Sequence, residues 1–454
     1  MRFRGELNIE AFRRAVGDVV ARHEALRTSF PRLSARPAQV ISEELETQIP
    51  VIDLSALAHT LREAEARRIA TYDAAQGFDI SRAPLFRFSF IKLSPREHLF
   101  VVVIHHIISD GWSTGVLVRE LRALYESRVN NTRAELPDLT VQYGDYAVWQ
   151  RNRLRGERLE RELEYWKLEL EGAPAAIELP ADRRHPAVAS HKGMTLTFKL
   201  DAGLRVDLNR LARSRNATPF MVLLAGFYAL LARYRGQLDI VIGTPVANRD
   251  RIDVEPLIGF FVNTLPIRLR GEQRDTFEAL LERVKRTALG AFAHQEAPFE
   301  KIMEALRPAR VMSGHPLFQV LFAFQNAPMP ALRFSELDVV VDPIDSGTAK
   351  FDLSLMISAI EDQFETVFEY STDLFDRATI SRFAAHFERL LIGAVIDPRR
   401  PFVDLPLVTP SEISLILEDE PVRTYTGPVH SLFEAQAQVS PDRIALRSVG
   451  DYIS

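Results

Sequence analysis

The sequence predicts a mixed α/β protein built as two halves of similar size. Three observations carry that expectation. Helix-period and strand-period apolar patterns alternate along 1–171 and again along 194–400. Weakly periodic stretches rich in proline interrupt them. The first runs from Gly172 to Gly193 and holds Pro174, Pro180 and Pro186; the second runs from Pro398 to Pro428 and holds Pro401, Pro406, Pro410 and Pro421. Finally, 454 residues are too many for one hydrophobic core. The expected organisation is a first half over 1–171, a linker over 172–193, a second half over 194–400, a Pro-rich linker over 401–428, and a trailing piece over 429–454.

In the first half, Ile9, Phe12, Ala15, Val16, Val19 and Val20 fall on one face of a helix ending near His23. Pro84 to Leu93 and Leu99 to Ile104 read as strands. The second of these is almost wholly apolar, which predicts cover on both faces. Val116 to Tyr125 reads as the next helix.

In the second half, Thr195 to Leu200 reads as a strand, Asp201 to Ala212 and Pro219 to Tyr234 as helices, and Leu238 to Ile242 as a strand. Thr276 to Ala293 is helical in pattern. Leu317 to Phe324, Phe351 to Ile360 and Phe364 to Tyr370 follow as strands, and Arg377 to Leu391 as an amphipathic helix. The 429–454 piece reads as a short helix and the start of a strand, too small for a core of its own.

Composition narrows the classes of function. With 46% hydrophobic and 26% charged residues, the chain is neither disordered nor collagen-like. A net charge of −5 gives no basic footprint for nucleic acid. The absence of cysteine excludes disulfides, a catalytic thiol and thiolate metal sites, and is compatible with a cytoplasmic location. The N-terminus is charged and is not a secretory signal. The longest apolar stretch, Phe220 to Ala232, is shorter than the roughly 20 residues of a membrane span and reads as a buried helix in a soluble protein.

The chemically densest stretch is His105-His106-Ile107-Ile108-Ser109-Asp110-Gly111-Trp112-Ser113, after the apolar strand and before a helix. Four readings stand side by side. The cluster is a satisfied polar group at a strand end. Or its His and Asp bind a metal, against which adjacent strand histidines point apart and no third strong ligand is near. Or Gly111-Trp112-Ser113-Thr114-Gly115 is the elbow of a serine hydrolase; the elbow must join strand to helix directly, and Ser113 is better placed as a helix N-cap. Or one histidine is a general base for acyl transfer, with an imidazole pKa near 6.5 suited to neutral pH and Gly111 letting a backbone N–H approach an oxyanion.

Ile104 to Ser113 resembles the His-His-x-x-x-Asp-Gly signature of the condensation domains of nonribosomal peptide synthetases. Further stretches resemble that family's motifs in the expected order. They are Arg22-His23-Glu24-Ala25-Leu26-Arg27-Thr28-Ser29-Phe30, Tyr143-Gly144-Asp145-Tyr146-Ala147-Val148-Trp149, Ile258-Gly259-Phe260-Phe261-Val262-Asn263-Thr264 closed by Arg268, His294-Gln295-Glu296-Ala297-Pro298-Phe299-Glu300, and Pro316-Leu317-Phe318-Gln319-Val320. The resemblance spans roughly residues 5–400. It implies two chloramphenicol-acetyltransferase-like lobes in a V-shaped pseudo-dimer, with the His-His loop at their junction. It also implies amide formation: a donor thioester on one carrier protein is attacked by the amine of an aminoacyl group on a second. No cofactor is held directly; the phosphopantetheine arms belong to the carriers.

The resemblance also assigns roles. His106 faces the tunnel and acts on the amine, and Gly111 is an oxyanion donor or a loop requirement. His105 and Asp110 are structural, with Arg22, Arg27 or Arg268 as the partner of Asp110. Trp112, Ser113, Asn263 and His294 are tunnel-lining candidates, with a strand-end cap as the other reading of Asn263 and plain solvent exposure that of His294. Trp149, Trp166, Phe260 and Phe261 are core.

Some positions depart from the family pattern. The family's early Ser-x-Ala-Gln-x-Arg motif is absent, which implies a shortened first lobe. Glu296 replaces an Asp, and Gly314-His315 replaces Arg-Asn. His105 argues against the heterocyclising relatives, and Gly111-Trp112-Ser113 against the epimerising ones, leaving an elongating type with an L-configured donor. Val429 to Ser454 resembles the opening of an adenylation domain, which makes the chain a fragment of a multidomain synthetase. A docking module with the same fold and no chemistry is the alternative from another class.

Overall fold

The computed structural model describes residues 1–34, 36–177, 179–307, 315–325, 333–334, 336–360, 362–418, 428–440, 446–448 and 451–453. Gly314, Pro421 and residues 441–445 of the adenylation-like stretch lie outside them. Residues 1–407 form one unit and 408–454 a second.

The first unit holds two six-stranded sheets. The first sheet takes β1 (Arg2–Arg4), β2 (Val51–Asp53), β3 (Phe86–Ser94) and β4 (Glu97–Ile104) from the first half. Helices α1 (Ile9–Arg22), α2 (His59–Ala75) and α3 (Gly111–Val129) cover it. Alternation along the strands explains the cover. Phe86, Phe88, Phe90 and Phe100 pack with Phe12, Val16 and Val19 of α1 and Leu117 and Leu121 of α3. Ile91, Leu93 and Val101 point the other way, onto Ala66 and Ala70 of α2. The apolar strand is thus covered on both faces, as its sequence predicts. Two helices, α4 (Tyr143–Arg153) and α5 (Gly156–Leu170), lead onward.

The second sheet is built from β5 (Gly193–Leu200), β6 (Asp239–Val246), β7 (Asn263–Arg270) and β8 (Val320–Gln325), with later strands named below. Its core is centred on α7 (Pro219–Arg235), flanked by α6 (Ala202–Ser214) and α8 (Phe277–Ala293). Twelve residues of α7 are buried, which is why it reads apolar on every side. A short α9 (Phe299–Leu306) follows α8. Among the described residues no single helix is long and apolar enough to cross a membrane.

The chain then leaves the second sheet. β9 (Arg333–Phe334) and β10 (Leu337–Val340) join the first sheet, β10 pairing antiparallel with β1. The chain returns as β11 (Leu353–Ile360), parallel to β8, and β12 (Gln363–Ser371), antiparallel to β11. The two sheet orders are β9-β10-β1-β4-β3-β2 and β7-β6-β8-β11-β12-β5. Helix α10 (Arg377–Ile396) completes the second core.

These connections correct the expected boundaries. The second core already contains Trp166 and Leu170 of α5, so it begins before residue 172. The stretch expected as a linker over 172–193 carries buried Ile177, whose N–H donates to Gln319 Oε1 at 2.8 Å. The stretch 194–400 does not keep to one sheet, because Phe334, Leu337 and Val339 bury their side chains in the first core. Residues 401–407 are no linker either: Phe402 and Leu405 are buried against the second core. The smaller unit contains α11 (Pro410–Glu418), α12 (Val429–Val439) and a hairpin of β13 (Leu446–Ser448) with β14 (Asp451–Ile453).

Candidate functional site

Strand β4 ends at Ile104, and the chain turns through a single 3₁₀ turn, His106–Ile108, into α3. The two histidines diverge. His105 is half-buried; its Nδ1 accepts the N–H of Ile107 at 3.0 Å, and its ring meets Phe78 edge-on at 5.9 Å. Burial lowers its pKa, and neighbouring His106 and Lys350 add to the effect. His106 is exposed, with Phe260 edge-on at 5.1 Å. It lies on the wall of a cavity of about 780 Å³. Gly111 and Thr114 of α3, Leu99 to Ile104 of β4, the α2 alanines and the 341–346 segment share that wall.

Asp110 caps α3 by accepting the Ser113 N–H at 2.8 Å. Its carboxylate is buried and fully used. Oδ1 also takes Arg249 Nη2 at 3.1 Å, and Oδ2 takes the Phe261 N–H at 3.0 Å. The partner of Asp110 is therefore Arg249, not one of the three arginines expected. Burial holds the Arg249 pKa down, and Asp110 acts against that shift. Arg249 also donates to the carbonyls of Val254 and Leu257, at 2.8 and 2.7 Å, and lies 4.0 Å above the Phe261 ring.

The expected arginines work elsewhere. Arg22 donates to Glu120 at 3.2 Å and to Pro137 O. Arg27 holds backbone carbonyls, among them Val20 and Glu43. Arg268 clamps Asp239 at 2.7 Å and the carbonyls that end α5.

Ser113 is fully buried at the third position of α3, so it is neither the N-cap nor a tunnel residue nor an accessible nucleophile. Its hydroxyl lies 2.7 Å from Asp110 Oδ1 and 2.9 Å from Gly259 O, and accepts the Gly259 N–H at 3.1 Å. Trp112 is half-buried; its indole N–H donates to Glu255 O at 2.9 Å and its ring packs on the first core.

The segment 258–261 is thus gripped from several sides. His23 Nδ1 accepts the Ile258 N–H at 3.3 Å while its Nε2 faces Glu120 at 2.8 Å, and the Tyr143 hydroxyl donates to Phe260 O at 2.7 Å. Gly259 has no room for a Cβ, because the Tyr143 ring occupies that space. Phe261 is buried as expected, but Phe260 is 37% exposed and turns its ring to His106. Trp166 is core; Trp149 is half-buried, packing beside Tyr146.

Two other candidates do not reach the cavity. Asn263 donates to Gln295 O and Ala297 O, at 2.9 and 2.7 Å, and accepts the Phe299 N–H, tying β7 to the start of α9. His294 stacks on Tyr165 at 4.0 Å and pairs with Glu162 at 3.0 Å. Glu296 takes Arg153 and Arg158, at 2.8 and 2.7 Å. Sequence reasoning missed Arg249 and Glu120. The only signal for either was a charged residue inside an otherwise apolar neighbourhood.

The model of the condensation domain family matches residues 1–417. The chain belongs to the condensation-domain family. A linear gramicidin synthase from Brevibacillus parabrevis is 42% identical over 452 residues, covering 98% of this chain and 9% of the synthase. Malpibaldin synthetase from Mortierella alpina is 40% identical over 450 residues, covering 98% of this chain and 8% of that protein. The chain thus spans less than a tenth of the length of either relative. Among solved structures, the X-domain from teicoplanin biosynthesis is 32% identical with a TM-score of 0.80, covering 90% of this chain and 92% of that one. A four-domain nonribosomal peptide synthetase shares the fold at 23% identity and a TM-score of 0.84, covering all of this chain and 35% of that protein. The fold is mixed α/β with two lobes, as the resemblance implied.

Proposed function

We propose that this condensation domain forms an amide between two carrier-bound substrates. The observation that supports the reading best is the exposed imidazole of His106 on the cavity wall. The amine nitrogen of the acceptor attacks the thioester carbonyl of the donor. The C–N bond forms, the C–S bond breaks, and the proton lost by nitrogen ends on the departing thiol. An α-amine has a pKa near 7.7 to 8, so much of it is already unprotonated at neutral pH. His106 orients that amine and takes its proton as the tetrahedral intermediate forms, and Gly111 N–H faces the developing oxyanion.

The substrates hang from phosphopantetheine arms of an upstream donor and a downstream acceptor carrier. The donor is L-configured, residues 429–454 open an adjoining adenylation domain, and the assembly works in the cytoplasm. His105, Asp110 and Arg249 hold the loop rather than react.

A docking role is the competing reading, since one solved relative, 31% identical, is an X-domain in complex with OxyB. A synthetic aminoacyl thioester and a free amine separate the two. Turnover that depends on His106 supports the enzyme; binding of a partner protein without turnover supports docking.

A further inference from the structure

We propose that Gln325 is a second substrate-contacting group, whose carboxamide holds the carbonyl oxygen under attack from the side opposite α3. The inference rests on the amide-forming reading of the site.

Gln325 is the last residue of β8, where the chain departs for the first sheet. Its side chain is exposed and has no hydrogen-bond partner among the described residues. It nonetheless points back at the His-His loop. A Cβ built on Gly111 meets Gln325 Oε1 at 3.9 Å. The second sheet therefore presents a free carboxamide to the backbone of the loop that carries His106.

Gly111 itself sharpens the point. Its φ lies outside the left-handed region, and the nearest neighbour of a Cβ would be in ordinary van der Waals contact. Neither loop conformation nor packing explains a glycine here. Its N–H, at the first position of α3, also has no acceptor among the described residues. Two polar groups without protein partners, one from each half of the molecule, thus border the same space. The amide oxygen and nitrogen of glutamine exchange by a flip of the side chain, so a donor is available to that space. A donor aimed at the oxygen of a thioester under attack gains strength as charge develops there.

The test is single-turnover amide formation by the full chain, with a soluble aminoacyl thioester and an amine acceptor. Q325A and the near-isosteric Q325E are compared with the parent and with H106A. Loss of a donor to a developing oxyanion costs about 10²-fold in kcat. Q325A and Q325E should both show that loss with KM within about twofold, the pattern of an interaction made in the transition state. Q325N, which keeps a donor on a shorter arm, should recover part of it. Melting curves check folding, and Q325E carries the test should Q325A melt early. Parental kcat in Q325A and Q325E, with H106A impaired, overturns the role of Gln325 and leaves the proposed function standing. Parental kcat in H106A overturns the role of His106 instead, and the glutamine variants still report their own effect.

Discussion

Asp110 and Arg249 form an ion pair shielded from water, 3.1 Å apart and 139 residues apart in sequence. Removing one member strands the other charge in a low-dielectric site, which costs about 3–5 kcal/mol. Asp110→Ala and Arg249→Ala should each lower unfolding stability by that much in urea titrations. The double variant should lose clearly less than the sum, because the second removal relieves the charge stranded by the first. Additive losses would mean that the two residues do not act as a pair. That Asp110 needs an arginine was legible from its place in an apolar loop. Which arginine was not, since chain spacing carries no information about a contact closed by the 248–261 segment. Ser113 shows the same limit. Asp and Ser are both good N-caps, and only the fold reveals that Asp110 took the position and drew Ser113 beneath it.

Among the elements, α1, α3, α7 and the long strands were legible because an apolar period runs through them for two or more turns or pleats. The crossover of β9 and β10 was not, because strands of two and four residues are too short to show one. Phe334 is nevertheless fully buried there, edge-on to Phe3 at 5.4 Å. Phe334→Ala should cost about 3–5 kcal/mol of stability. A loss under about 1 kcal/mol would show that β9 does not hold to the first sheet.

At the mouth of β11, Asp352 is buried and its pKa is pushed up to about 6 by desolvation, against the pull of His185 at 3.3 Å. A carboxyl whose folded pKa exceeds its unfolded one binds protons more tightly when folded. Its contribution is therefore present near pH 4 and lost as pH rises through 6. Asp352→Asn, which never ionises, should gain stability relative to the parent between pH 4.5 and pH 7.5, read from urea midpoints. A relative loss over that range would mean that His185 stabilises the carboxylate more than burial penalises it.

The whole molecule is organised so that one loop is held by groups from both halves while one side chain in it stays free. His23, Asp110, Ser113 and Tyr143 from the first half all bind the 258–261 segment of the second. His105 is spent on the Ile107 N–H, and His106 is left open on the cavity. That two halves meet at the His-His loop was legible through motif order. The exchange of strands between the sheets was not, because it depends on pairing partners far apart in sequence. The most direct measurement is single-turnover dipeptide formation with both carriers loaded, comparing the parent with His106→Ala. The account predicts a rate lower by about 10²-fold or more, with melting temperature and carrier affinity unchanged. A His106→Ala variant that joins the two substrates at the parental rate would contradict it.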